Sequence, residues 1–318
     1  MSRDLVFGFC DPRFKKVRDL FARSVESGYE VGATLAVEYR GEMVINLWGG
    51  YQDAAKTRLW QEDTLVNVFS VTKGIVATCI ARLVEEKRLD IYQPVSNYWP
   101  EYGCNGKENT TVYDLLCHRG AMFGFREPVP EGQWQNWSLF TELLAKQAPY
   151  RSPGESQSYH ALTFGWLAGE LIRRIDGRSV GQYFKDEIAD PLALDFKIGL
   201  ALTDLDRCAD MLMMTKDNTQ SLFSILTHVP DILLPKALRT MKAALEVGDN
   251  KIAFASVLEA ADTVNSQAWR LAEVPAANGH GTAASLATFY GILTNGGARD
   301  NYHILKPETL AMATQIHS

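Results

Sequence analysis

Cysteine is sparse: Cys10, Cys79, Cys104, Cys117 and Cys208 are the five in 318 residues, and no two form a C-x-x-C pair. That excludes a zinc knuckle and a thioredoxin-type motif. The scattered set reads as reduced, mostly buried thiols in a cytoplasmic compartment. Long apolar runs are missing too. None approaches the ~18 residues of a membrane span, and Met1–Phe9 holds no apolar stretch fit for a leader. Basic clusters are absent: 32 Lys and Arg against 38 Asp and Glu leave a net charge of −6, with the cations spread along the chain. A nucleic-acid surface needs a basic face, so that class is set aside. The six histidines form no H-x-x-x-H or H-x-H pair, which removes the zinc-hydrolase patterns. There is no G-x-S-x-G elbow, no G-x-x-x-x-G-K-[ST] phosphate loop and no dinucleotide fingerprint. Neither metal nor cofactor is expected.

What is present has the composition of a soluble globular chain, 46% hydrophobic and 22% charged, long enough to bury a large core. Phe14, Val17, Leu20, Phe21 and Val25 recur at helical spacing, and Gly28 ends that helix. Ala33–Tyr39 and Met43–Trp48 flank Arg40-Gly41-Glu42 as a β-hairpin. From Val71 to about Lys87 the helical period returns, with Val76, Cys79, Ile80, Leu83 and Val84 on one face. A loop-rich stretch follows, containing a short helix over Val112–Leu116. Leu162, Trp166, Leu167, Leu171 and Ile175 mark another helix, stopped at Asp176-Gly177. Helical segments continue to the end, broken at Pro235. The hairpin is the only evident pair of strands, and a lone hairpin is marginal in water.

Ser70-Val-Thr-Lys73 stands where the apolar run Val66–Phe69 meets the helix beginning at Val71. A serine hydroxyl needs a base to become a nucleophile. Residues three apart on a helix share a face, so Lys73 reaches Ser70 from the same turn. Burial would bring such a lysine towards neutrality, and a helix N-terminus offers N–H groups to an oxyanion. By itself S-x-x-K is weak, because a surface lysine beside an N-capping serine has the same spelling.

The surrounding segments are more specific. Asp63-Thr-Leu-Val-Asn-Val-Phe-Ser-Val-Thr-Lys-Gly74 closely resembles the nucleophile segment of family VIII carboxylesterases, class C β-lactamases and penicillin-binding-protein-like chains. Leu89–Glu101 resembles the loop after that helix, Tyr159–Glu170 the segment carrying the active-site tyrosine, and Pro191–Phe196 and Asn278–Ala283 further landmarks. The resemblance runs from about Gly8 to the end and weakens between about Ala201 and Arg270. It implies an α/β (α+β) fold of β-lactamase/transpeptidase type, an antiparallel sheet flanked by helices plus a helical subdomain. As one domain over 1–318, its α/β part would take about 1–70 and 275–318, and its helical part about 71–274. It implies Ser70 as nucleophile, Lys73 as its partner and Tyr159 as the phenol that shuttles a proton to the leaving group. The expected substrate is a small-molecule ester, amide or lactam, with an ester favoured. His160 reads as a structural hydrogen-bonder.

Two departures stand out. Relatives carry a His-x-Ala-Gly-Leu-like turn where this chain has His118-Arg-Gly-Ala-Met122. The third element, a K-T-G-like or His-x-Gly strand lining the pocket, has no suitable counterpart: Lys56-Thr57-Arg58 precedes the nucleophile, and Gly279-His280-Gly281-Thr282 sits where relatives open a helix. The expectation is therefore an incomplete sheet lacking C-terminal strands, with an open edge that could recruit a second copy into a homo-oligomer. A catalytically inactive member used for binding or self-assembly is the alternative. Trp134, Trp137 and Phe140 read either as an acyl pocket or as core aromatics.

Overall fold

Apolar residues alternate along β2 (Gly32–Tyr39) and β3 (Glu42–Gly50), which pair antiparallel with Leu35 opposite Leu47 and Val37 opposite Ile45. Four aliphatic side chains thus share one face of the sheet. Phe14 and Phe21 cover that face, the latter from α1 (Lys15–Glu26). Arg40 and Gly41, at φ 53° and 83°, form the turn, the positive values a two-residue hairpin of primed type requires. In this computed structural model, which describes residues 5–130, 132–212, 248–255 and 263–315, the hairpin is not alone. β1 (Val6–Cys10) pairs along the other edge of β3 to give the order β1-β3-β2. Its strand character is invisible in hydropathy because its register is held by backbone bonds, while Phe7 and Phe9 point largely to solvent.

Among the described residues there are two further small sheets. β4 (Val66–Asn67), β5 (Phe196–Ile198) and β6 (Gly279–Gly281) associate in the order β4-β6-β5, and β7 (Ala298–Arg299) pairs with β8 (Tyr302–His303). Segments of two or three residues carry no periodicity, so β5 falls in a region the sequence marks as helical. Only β3 pairs with β2 among the described residues, leaving the opposite edge of β2 without a strand.

The four helices read from the sequence are present, while a further one over Trp137–Lys146 falls in the stretch it marks as loop-rich. α2 (Thr72–Glu85) buries Ile75, Val76, Cys79, Ile80 and Leu83. α3 (Val112–Leu116) begins at a reciprocal capping box between Thr111 and Asp114. α4 (Trp137–Lys146) is followed by α5 (Thr163–Asp176), which ends on Gly177 in the left-handed region at φ 93°. α6 (Val180–Phe184), α7 (Gly248–Ala255), α8 (Gln267–Leu271), α9 (Ala283–Thr294) and α10 (Pro307–Ala313) are the other α-helices among the described residues. The break expected at Pro235 lies outside the described residues. No described helix is long and apolar enough to cross a membrane. All five cysteines are free; Cys79 and Cys208 are buried and the others half-buried.

The main core lies between α2, α4 and α5, where Trp166 is fully buried and stacks on Phe140 at 4.1 Å. α9 joins this core to the β1–β3 sheet. Its Tyr290 hydroxyl donates to the Val71 carbonyl at 3.2 Å, and its Gly291 lets the Glu38 carboxylate of β2 lie against the helix backbone. Gly165 serves the same purpose on α5: a β-carbon there would stand 2.5 Å from the Ala276 nitrogen, and backbone cannot step aside. Gly165→Ala is expected to lower the unfolding free energy by about 1–3 kcal/mol, the usual cost of overpacking, measured by urea denaturation. An unchanged midpoint would mean that Pro275–Ala277 is not held against α5.

Candidate active site

The turn bearing Ser70 is fixed by the second sheet. Val68 N–H donates to the Gly279 carbonyl at 2.9 Å, and the Asn67 side chain bonds Ala277 O (3.1 Å) and Trp269 Nε1 (3.0 Å). Thr72, fully buried, donates to Phe69 O at 2.6 Å and accepts from Gly279 N–H at 2.9 Å. Between these anchors Phe69 takes φ 46°. A bulky residue in the left-handed region costs on the order of 1–3 kcal/mol, and such residues cluster at functional sites. The strain turns the chain sharply from β4 into a 3₁₀ turn, Phe69–Val71, leaving Ser70 exposed at the head of α2.

Lys73 rises from the first turn of α2 and is 9% exposed. Its Nζ donates to Ala161 O at 2.7 Å, Ala276 O at 2.9 Å and Ser70 Oγ at 3.1 Å. No carboxylate is among these acceptors. Three acceptors suit an ammonium, but burial outweighs them and brings the lysine down to about 7. From the opposite side Tyr159, in the loop before α5, donates its phenol to Ser70 Oγ at 2.6 Å, and its ring lies 4.8 Å from Lys73 Nζ. The structure thus brings all three sequence-predicted residues, Ser70, Lys73 and Tyr159, to one oxygen.

Sequence reasoning missed the two carbonyls that hold Lys73. They come from Ala161 and Ala276, positions whose side chains say nothing about a backbone acceptor; only the short spacing of Ala161 from Tyr159 could have hinted at one. Thr72 carries no sequence signal for its anchoring role either. His160 is fully buried, its Nδ1 2.7 Å from Ser158 O and its Nε2 accepting from Met122 N–H at 3.0 Å. Gly279–Gly281 forms a strand, and Thr282 caps the N-terminus of α9, so this segment does open a helix.

The aromatics Trp134, Trp137 and Phe140 belong to the packing. Phe140 is buried, Trp134 stacks on it at 6.0 Å and meets Trp269 edge-on at 5.0 Å, and Trp137 Nε1 donates to Glu170 at 2.7 Å. A cavity of about 370 Å³ beside Trp134, Trp137, Arg173 and Glu273 does not include the Ser70 cluster. No three His, Cys, Asp or Glu side chains among the described residues are grouped to hold a metal ion.

The family model for beta-lactamase matches residues 17–316. The chain belongs to that family. It is 34% identical to the esterase/beta-lactamase LipL of Mycobacterium tuberculosis over 98% of its own length and 69% of that protein's. Among solved structures it is similar to a family VIII carboxylesterase, at 37% identity and TM-score 0.81, over 96% of this chain and 76% of the other. A penicillin-binding protein homologue from Caulobacter crescentus superposes with TM-score 0.82 at 34% identity, covering 98% and 77%. The mixed α/β architecture, small antiparallel sheets among many helices, is that of these beta-lactamase-family proteins.

Proposed function

We propose that this beta-lactamase-family protein is a serine hydrolase that cleaves small esters through an acyl-Ser70 intermediate. The observation that carries the reading is the convergence of Lys73 Nζ and the Tyr159 phenol on Ser70 Oγ, at 3.1 and 2.6 Å. As a neutral amine, Lys73 spends its two N–H bonds on Ala161 O and Ala276 O, which turns its lone pair towards Ser70. It takes the Ser70 proton as Oγ bonds to the substrate carbonyl carbon. Collapse of the tetrahedral adduct breaks the bond to the leaving alcohol, which receives its proton from Tyr159. Tyr159 regains a proton from Lys73 once the alcohol has left, and water then repeats the sequence to release the acid. An ester is favoured because an alkoxide departs with less acid assistance than an amide nitrogen. The names of two relatives, an esterase/beta-lactamase and a carboxylesterase, are consistent with an ester, the first naming a lactam activity beside it. None of these steps draws on a metal or cofactor.

A fluorescent fluorophosphonate tests the reading. One phosphonyl group per chain is expected, placed by peptide mass spectrometry on Ser70. An adduct on another serine would reject the assignment, and no adduct at all would favour the non-catalytic binding role.

A further inference from the structure

Tyr159 is bracketed by two histidines whose hydrogen bonds leave little choice of tautomer. His118 Nδ1 accepts from His160 N–H at 3.2 Å, so the ring proton of neutral His118 is on Nε2. His160 Nε2 accepts from Met122 N–H, which places its proton on Nδ1, facing Ser158 O at 2.7 Å. Ser158 N–H in turn donates to His118 O at 2.9 Å. The segments 118–122 and 158–160 are thus joined by three cross-bonds, two of them ending on imidazole nitrogens. The His118 ring also packs on Tyr159, centroids 4.9 Å apart, and on Phe164 at 5.4 Å. His118 and Ala121, at φ 59° and 53°, both occupy the left-handed region, and two such residues in one turn need surroundings that over-determine them.

We propose that His118 and His160 are positioning residues, a relay of neutral acceptors that fixes the backbone on either side of Tyr159 and so holds its phenol on Ser70. The inference rests on the acyl-Ser70 reading only for what the phenol does once there. Burial, reinforced for His118 by the nearby Lys73 charge, holds His118 at about 4 and His160 at about 3, so both acceptors persist at neutral pH. A protonated ring in either place would present an N–H to a backbone N–H. The exchanged Gly120-Ala121 order of this turn fits the same device. Gly120 lies where a β-carbon would meet Leu115 at 2.6 Å, and Ala121 is kept in its unfavourable conformation by the bonds around it, including Tyr150 N–H to Ala121 O at 2.9 Å.

The test compares His118→Asn, whose side-chain oxygen can stand near the place of Nδ1, with His118→Leu, which fills space without accepting. With p-nitrophenyl butyrate, His118→Leu is expected to lower kcat about 10²-fold, the scale of a displaced catalytic group, with KM little changed, and His118→Asn to recover most of the loss. Added to Tyr159→Phe, His118→Leu should cost nothing further. A second readout needs no turnover: 3-fluorotyrosine placed at position 159 should give a fluorine resonance that moves or broadens in His118→Leu and stays in His118→Asn. Where the leucine variant does not fold, His118→Phe, which keeps a ring against Tyr159 and Phe164 but has no acceptor, is read in its place. Equal losses in the Asn and Leu variants, or an unmoved fluorine resonance, would overturn the positioning role. The fluorine signal decides this even where Ser70 takes no label, so the two readings fail separately.

Discussion

Ser70→Ala is expected to reduce ester hydrolysis by on the order of 10⁴–10⁶ and to leave the fold intact, since removal of an acyl-enzyme nucleophile costs on that scale. The fold should not suffer, because the Ser70 side chain is exposed and the turn around it is held by Val68, Thr72 and the strand Gly279–Gly281 rather than by its hydroxyl. Lys73 keeps two of its three acceptors, Ala161 O and Ala276 O, in the alanine variant. The comparison therefore isolates the oxygen on which Lys73 and Tyr159 converge. Hydrolysis of p-nitrophenyl butyrate and the thermal midpoint, recorded on the same preparation, check both halves. A variant retaining a tenth of the wild-type rate would place the nucleophile elsewhere.

The long periodic helices are legible in the amino-acid sequence. Phe14–Val25, Val71–Lys87 and Leu162–Ile175 differ from α1, α2 and α5 by a few residues at their ends, because a stripe that must face a core is written into the residue order. Strands are legible only where alternation is long enough to register, in β2 and β3. β1 escapes because Phe7 and Phe9 face outward, β5 and β6 escape because three residues cannot show a period, and β4 shows only as the apolar run that enters the Ser70 helix. Yet those short strands are the ones that hold the Ser70 turn. The three side chains of the candidate site are reached through resemblance and a helical spacing. Their supports are not, since carbonyls of two alanines and the acceptor nitrogens of His118 and His160 depend on where the backbone passes. His160 is a structural hydrogen-bonder, as expected, but its partner in that work, His118, stands in the sequence only as part of an irregular turn.

The lysine should carry the pH dependence. Acylation requires the neutral amine, and burial brings Lys73 down to about 7, so kcat/KM is expected to rise with pH through a limb near 7 and then level off. Lys73→Met, close in length and without a proton acceptor, should lower acylation by about 10²–10⁴-fold, the range for a general base, and should abolish that limb. Stability moves with the same group. The folded value near 7 lies below the unfolded 10.5, so the burden of burying the ammonium is fully present below pH 7 and is relieved as pH rises towards 10.5. Between those limits the wild type should gain unfolding free energy relative to Lys73→Met, whatever the fixed loss from leaving Ala161 O and Ala276 O unpaired. Stopped-flow acylation by a p-nitrophenyl ester and urea denaturation at pH 6, 8 and 10 follow the two effects separately. A limb that persists near pH 7 in Lys73→Met would assign the base to another group. A stability difference flat from pH 7 to 10 would show that Lys73 is charged throughout, and a lysine charged across that range could stabilise an oxyanion but could not take the proton from Ser70.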